Sequence, residues 1–386
     1  MALRLASPSA SWALGSARYK STLLDPLSGE LAPLADIEAS KLVIERSTSL
    51  KARPAAKDIK FGHNFDFADG PFAMEPSSTV LHYAQTLFEG MKAYRENDKR
   101  VTLFRPDMNM KRMNNSAQRL ALPTFNGDEV LECIKELIRL DKDWVPAEAG
   151  YSLYVRPTLI GTQAAIGVGP PTDAMLFVIA CPVGPYYPQG FKPIALYGTT
   201  EYIRAAPGGT GAFKLGANYA PGITAQREAA KLGYEQNLWL HGPEHYLTEV
   251  GTMNMFIVFK TPDGGMELVT PPLDGMILPG VTRDSVLKLA RSGAVPNLPS
   301  NITVSERPVT MAEVKTASKE GRLVELFGAG TAAVISPVDR IGYMGEDVHF
   351  PTGEDGMGPV SRPIWKELVG RQTGAIKSDW SVIVTE

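Results

Sequence analysis

Just past the middle of the chain stands Gly208-Gly209-Thr210-Gly211-Ala212-Phe213-Lys214-Leu215-Gly216-Ala217-Asn218-Tyr219, a single lysine set among glycines. No regular element runs easily through such a stretch, because glycine accepts backbone angles that other residues resist and weakens helix and strand alike. Glycine also lets the backbone come close to a ligand. Lys214 is therefore either an ordinary lysine on a surface loop or a buried amine with a lowered pKa, the form that attacks a carbonyl. The sequence on both sides of this bend decides between the two.

A chain of 386 residues exceeds one ordinary core, so two domains are expected. The Pro- and Gly-dense segment Pro182-Val183-Gly184-Pro185-Tyr186-Tyr187-Pro188-Gln189-Gly190 reads as the connection. This gives a smaller N-terminal domain at 25–182, a linker at 183–192 and a larger domain at 193–386. A net charge of -3 offers no basic face for nucleic acid. The longest apolar run, residues 174–183, is too short to span a bilayer and reads as a buried strand. Cys133 and Cys181 give neither a disulfide framework nor a metal-ligand spacing, and both read as small core hydrophobes.

Residues 1–24 differ in composition from the rest. Arg4, Arg18 and Lys20 are their only charged side chains, and serines alternate with Ala and Leu. That is the pattern of an organellar transit peptide, as against a plain N-terminal extension. The segment is set aside from the fold, and a mitochondrial address is expected.

Several turns place chemistry-bearing residues at element ends. Val101-Thr102-Leu103-Phe104 is a strand, and Met110, Met113, Ala117 and Leu120 recur at helical spacing after Arg105-Pro106. Arg105 thus sits where a strand feeds a helix N-terminus, suited to a phosphate or to a surface salt bridge. Residues 61–94 read as strands, in which Phe65, Tyr83 and Phe88 are either core or the wall of an apolar pocket. In Tyr151-Ser152-Leu153-Tyr154-Val155-Arg156-Pro157-Thr158, period two puts Tyr154 and Arg156 on one face, as a carboxylate receptor or simply an exposed polar edge.

Glu249 ends an apolar strand and needs a partner, either a buried cation or a protonated ring nitrogen. In Pro279-Gly280-Val281-Thr282-Arg283-Asp284-Ser285, Thr282 is expected to cap a helix whose first N–H groups, at Val281 and Thr282, point at an anion. Thr310-Met311-Ala312-Glu313 fits a capping box. Gly328-Ala329-Gly330-Thr331-Ala332 is a second glycine turn bearing a hydroxyl. Neither glycine turn is a Walker loop or a dinucleotide fingerprint.

Taken in order, Leu87-Phe88-Glu89-Gly90-Met91-Lys92, Leu103-Phe104-Arg105-Pro106, Tyr154-Val155-Arg156-Pro157, Lys214-Leu215-Gly216-Ala217-Asn218-Tyr219, Leu247-Thr248-Glu249-Val250-Gly251-Thr252, Leu278-Pro279-Gly280-Val281-Thr282-Arg283 and Phe327-Gly328-Ala329-Gly330-Thr331-Ala332 resemble the branched-chain amino acid aminotransferases of fold type IV. The resemblance implies an α+β fold, with a smaller N-terminal α/β domain and a larger β-barrel-like domain with flanking helices. It also implies a pyridoxal 5'-phosphate enzyme that moves the amino group of L-leucine, L-isoleucine or L-valine to 2-oxoglutarate. By position, Lys214 matches the cofactor lysine, Tyr219 the phenol on the ring hydroxyl and Glu249 the partner of the ring nitrogen. Arg105, Val281, Thr282 and Thr331 match the phosphate cup. Phe65, Tyr83, Phe88, Tyr154, Arg156, Val168, Thr252 and Ala332 match the substrate pocket, with Val168 coming from the partner in a homodimer. Ala333 and Ser336 stand where some members carry a redox cysteine pair, so no thiol switch is expected there. A D-amino acid aminotransferase or an aminodeoxychorismate lyase shares the lysine and phosphate chemistry, but the Tyr154-x-Arg156 strand and Glu89-Gly90-Met91-Lys92 argue against both. A binding protein without turnover is the alternative from another class.

Overall fold

The computed structural model describes residues 2–5, 42–45, 72–96, 100–185 and 192–385. Phe65, residues 186–191 of the linker and nearly all of the 1–24 segment lie outside them. The chain divides into two compact units. The first comprises Met1–Pro185, Phe213–Ala217 and Arg371–Glu386, and the second Tyr186–Ala212 and Asn218–Gly370. The lysine segment therefore packs with the first unit although both its flanks belong to the second.

The first unit is built on an antiparallel sheet in the order Ser381–Thr385, Val101–Phe104, Met91–Arg95, Ser152–Gly161, Ala174–Val183, Ala2–Leu5 and Leu42–Glu45, with Thr86–Phe88 also paired to Ser152–Gly161. Ala2–Leu5, set aside above with the leader, thus takes a place beside Ala174–Val183. The expected all-strand reading of 61–94 is corrected in part: Thr79–Tyr83 is a short helix, ended by Ala84 in the left-handed region at φ 51°. Helices Pro106–Arg119 and Gly127–Leu140 bury Met110, Met113, Ala117, Ile134, Leu137 and Ile138 in the same core as Leu103 and Leu153. Asn126, rather than the expected Asp128, opens the second helix, its side-chain oxygen accepting from the Asp128 and Glu129 amides.

In the second unit six strands close on themselves. They run Tyr246–Val250, Gln236–His241, Ile194–Thr199, Val334–Tyr343, Leu323–Gly330 and Met253–Lys260, and the last pairs back to the first through Glu249 and Asn254. Phe256 and Phe327 face each other in register, fully buried and stacked at 5.2 Å. Such a pair adds about 0.5–1.5 kcal/mol beyond its burial. Helices Gly222–Lys231, Val281–Ser292, Met311–Lys319 and Ser361–Gln372 flank these strands in sequence. Thr310 caps Met311–Lys319 by accepting from the Glu313 amide at 3.1 Å. Glu313 turns instead to Arg307, so the box is completed on one side only. Fold class is as the sequence implies: α+β, with a closed barrel and helices.

Candidate active site

Two backbone hydrogen bonds pin Lys214 in the first unit. Its N–H donates to Ser116 Oγ at 3.0 Å, and its carbonyl accepts from the Phe88 N–H at 3.1 Å. Leu215 bridges Leu87 beside it. The bend thus becomes a fixed rung against strand Thr86–Phe88, with the ammonium end 4.8 Å from the Phe88 ring centre. Withdrawal from water pushes the amine down from its ordinary 10.5 to about 8. Arg112 presses in the same direction, while Glu89 opposes it. The neutral amine is then accessible near pH 8 instead of above 10. Lys92, buried on Met91–Arg95, is also pushed down to about 8 by burial. The lowered pKa alone therefore does not single out Lys214; the glycine bend and its two anchors do.

Beneath this segment lies a network that the sequence reading passed over. Glu89 is fully buried. Arg112 Nε and Nη2 donate to its two oxygens at 2.7 and 2.8 Å, and Asn109 Nδ2 donates at 2.7 Å. Asn109, Arg112 and Ser116 fall at i, i+3 and i+7 of Pro106–Arg119, which places them on one helix face. That polar stripe is buried beside Met110, Met113 and Ala117, although its residue types read in sequence as a solvent face.

Tyr154 and Arg156 do share one face, half-buried. Arg156 Nη2 donates to Tyr154 Oη at 3.1 Å, and the guanidinium lies 4.7 Å from the Phe88 ring centre. A side chain at Gly90 would collide with the Tyr154 phenol, so only glycine admits that ring. Tyr83 and Val168 are exposed, and the Tyr83 hydroxyl donates to the Ile166 carbonyl. Arg105 is buried at the head of Pro106–Arg119 in the left-handed region, φ 48°.

The second unit holds the remaining candidates. Glu249 is buried and paired to Arg204, whose Nε stands 3.0 Å from Oε2. The Leu278 amide donates to Oε1 at 2.8 Å. Of the two partners expected for Glu249, the buried cation is thus present, and Arg204 was missed because it lies in no periodic element. It donates as well to the Met276 carbonyl at 3.0 Å. Helix Val281–Ser292 starts at Gly280, not at Thr282, and no side chain caps it. Thr282 sits one step inside the first turn, so its N–H and that of Val281 belong to the end that draws an anion. Gly280 is required here, because a Cβ would strike Asn254 Oδ1. Tyr219 follows the short 3-10 turn Gly216–Asn218. Thr331 and Ala332 stand in the turn after Leu323–Gly330, and Thr252 is exposed in the turn after Glu249.

The model for amino-transferase class IV matches residues 86–341. The cytosolic branched-chain-amino-acid aminotransferase of Saccharomyces cerevisiae is 54% identical, covering 81% of this chain and 84% of its own. The mitochondrial one of the same yeast is 46% identical, covering 92% and 95%. Among solved structures, the T.th. branched-chain amino acid aminotransferase complexed with N-(5'-phosphopyridoxyl)-L-glutamate superposes with a TM-score of 0.62 at 26% identity, covering 81% of this chain and 94% of that one.

Proposed function

The chain belongs to the class IV aminotransferases, and from that premise we propose that Lys214 carries the covalent attachment and proton transfer of a branched-chain amino acid transaminase. The enzyme moves the amino group of L-leucine, L-isoleucine or L-valine to 2-oxoglutarate, leaving the branched-chain 2-oxo acids and L-glutamate. Its cofactor is pyridoxal 5'-phosphate, which when bound supplies a carbonyl that takes up the amine and a ring that draws electrons from the bonds at Cα.

The observation that supports this assignment best is the Lys214 anchor. An amine fixed by its own backbone, with its pKa lowered to about 8, carries a sizeable neutral fraction near pH 8, the form that acts as nucleophile and base. Lys214 Nζ takes the proton from the substrate Cα and holds it. The donor set fits the remaining parts of the group. The Glu249 carboxylate, with Arg204 beside it, suits a protonated ring nitrogen. Tyr219 offers its phenol to the ring hydroxyl. Arg105, the N–H groups of Val281 and Thr282 and the Thr331 hydroxyl suit a phosphate dianion. Phe88 and Tyr154 supply apolar walls, to which we add Tyr83, Thr252 and Ala332. Arg156 receives the second carboxylate of glutamate.

A partner subunit completes the proposed pocket through Val168. Leu81, Tyr83, Ile166 and Val168 are exposed apolar residues of the first unit, and a second copy of the chain would cover them. The Arg-bearing, acid-free leader argues for the mitochondrial matrix. Apolar walls separate substrates that differ by one methylene by only about 1–3 kcal/mol. The kcat/KM values for L-leucine, L-isoleucine and L-valine should therefore lie within about two hundredfold of one another, with D-amino acids inactive. A clear preference for D-alanine in that panel overturns the assignment. Light scattering should give twice the chain mass; a monomer active at full rate removes Val168 from the pocket.

A further inference from the structure

Arg105 adopts a backbone conformation that side-chain-bearing residues avoid, φ 48° and ψ 47°. A neighbour has to hold it there, and within the first unit that neighbour is the far end of the chain. The Arg105 N–H donates to the Trp380 carbonyl at 2.8 Å. Its guanidinium lies 4.7 Å from the Trp380 ring centre. The strands on either side are zipped together, Phe104 opposite Ser381 and Leu103 opposite Val382. The Phe104 ring meets Trp380 edge-on at 5.9 Å.

Trp380 is itself fixed by its own surroundings. Its N–H donates to Ser378 Oγ at 3.2 Å. Arg371 donates to the same oxygen at 3.1 Å and sets a second guanidinium 4.9 Å from the indole centre. Ser381 Oγ donates to the Arg371 carbonyl at 2.6 Å. The contacts thus run without a gap from the end of helix Ser361–Gln372 to Arg105.

Stacking engages the face of a guanidinium, while its N–H donors radiate in the plane, the direction that forked phosphate binding uses. We infer that Trp380 is a positioning residue for Arg105: the C-terminal strand aims the phosphate-binding arginine and so sets affinity for the phosphate end of the cofactor. This rests on the assignment of Arg105 to the phosphate. It goes beyond it by giving the last residues of the chain a share in cofactor recognition without contact to the cofactor.

The test compares two ligands that differ only in the phosphate. Cofactor-free protein is titrated calorimetrically with pyridoxal 5'-phosphate and with pyridoxal, and the ratio of the two Kd values isolates the phosphate. Trp380→Leu, which keeps an apolar side chain but removes the aromatic face, should shrink that ratio about tenfold, between an exposed and a fully desolvated cation–π contact. Trp380→Phe, which keeps an aromatic face, should shrink it less. Adding Trp380→Leu to Arg105→Gln should shrink it no further than Arg105→Gln alone. A purely structural role for Trp380 predicts equal weakening of both ligands, and that result overturns the inference. A reduced ratio in Arg105→Gln beside an unchanged one in Trp380→Leu overturns it too, while leaving Arg105 on the phosphate. An unchanged ratio in Arg105→Gln removes Arg105 from the phosphate and the inference with it.

Discussion

Lys214→Ala lowers amino-group transfer from L-leucine to 2-oxoglutarate by at least about a thousandfold, while the protein remains folded. The magnitude combines loss of the covalent attachment with loss of a positioned base, which by itself is worth about two to four orders of magnitude. The fold survives because the anchors belong to the backbone: the 214 N–H still reaches Ser116 Oγ, and the 214 carbonyl still accepts from Phe88. Lys92 does not take over, although burial lowers its amine to a similar value, because it stands within a strand paired to Tyr154 rather than in the glycine bend. Initial rates across pH together with a thermal melt check both halves of the expectation. A variant that retains a tenth of the wild-type rate removes Lys214 from the chemistry.

Arg112→Leu destabilises the protein by about 3–5 kcal/mol, as expected when one partner of a buried ion pair is removed. Glu89 is fully buried and takes two hydrogen bonds from Arg112, at 2.7 and 2.8 Å. With the guanidinium gone, only Asn109 and the Gly90 amide remain among the contacts described for that carboxylate. Adding Glu89→Gln removes the stranded charge and should recover a large part of the loss. The same variant also reports on Lys214. Arg112 helps hold the Lys214 pKa down, so its removal moves that pKa upward from about 8. In cofactor-free protein, the pH at which a small acylating reagent modifies Lys214 at half its maximal rate should rise. Denaturant melts read the first effect and peptide mapping of the acylated lysine reads the second. An unchanged midpoint would show that loss of the guanidinium leaves no stranded charge at Glu89.

The legible parts of the fold were those where a local rule and the packing agree. Met110, Met113 and Ala117 keep helical spacing and are all buried. Tyr154 and Arg156 keep strand alternation and share a face. Thr79–Tyr83 reads as strand in sequence because its aromatic and β-branched content is ambiguous over five residues, and tertiary context decides for the helix. The cap of the helix beginning at Val281 falls two residues before the expected Thr282, which is the better capping residue by type. The structure instead gives that place to Gly280, where Asn254 leaves no room for a side chain.

In sequence, the glycine turns and Lys214, Glu249 and Arg105 are the places that draw attention as candidates for the site. The residues behind them do not. Arg112, Asn109 and Ser116 look in sequence like the solvent face of an amphipathic helix, and nothing local says that this face is covered as well. Arg204 and Trp380 meet Glu249 and Arg105 only through contacts across long sequence separations, which periodicity does not register.

The most direct test of the central claim is the visible spectrum of the pyridoxal-phosphate-loaded protein before and after L-leucine, with no 2-oxo acid present. The expected result is loss of the band of the lysine-bound cofactor together with release of the matching branched-chain 2-oxo acid, and recovery of the band on adding 2-oxoglutarate. A band that ignores L-leucine and responds to D-alanine, or a protein that takes up no pyridoxal phosphate at all, would contradict it.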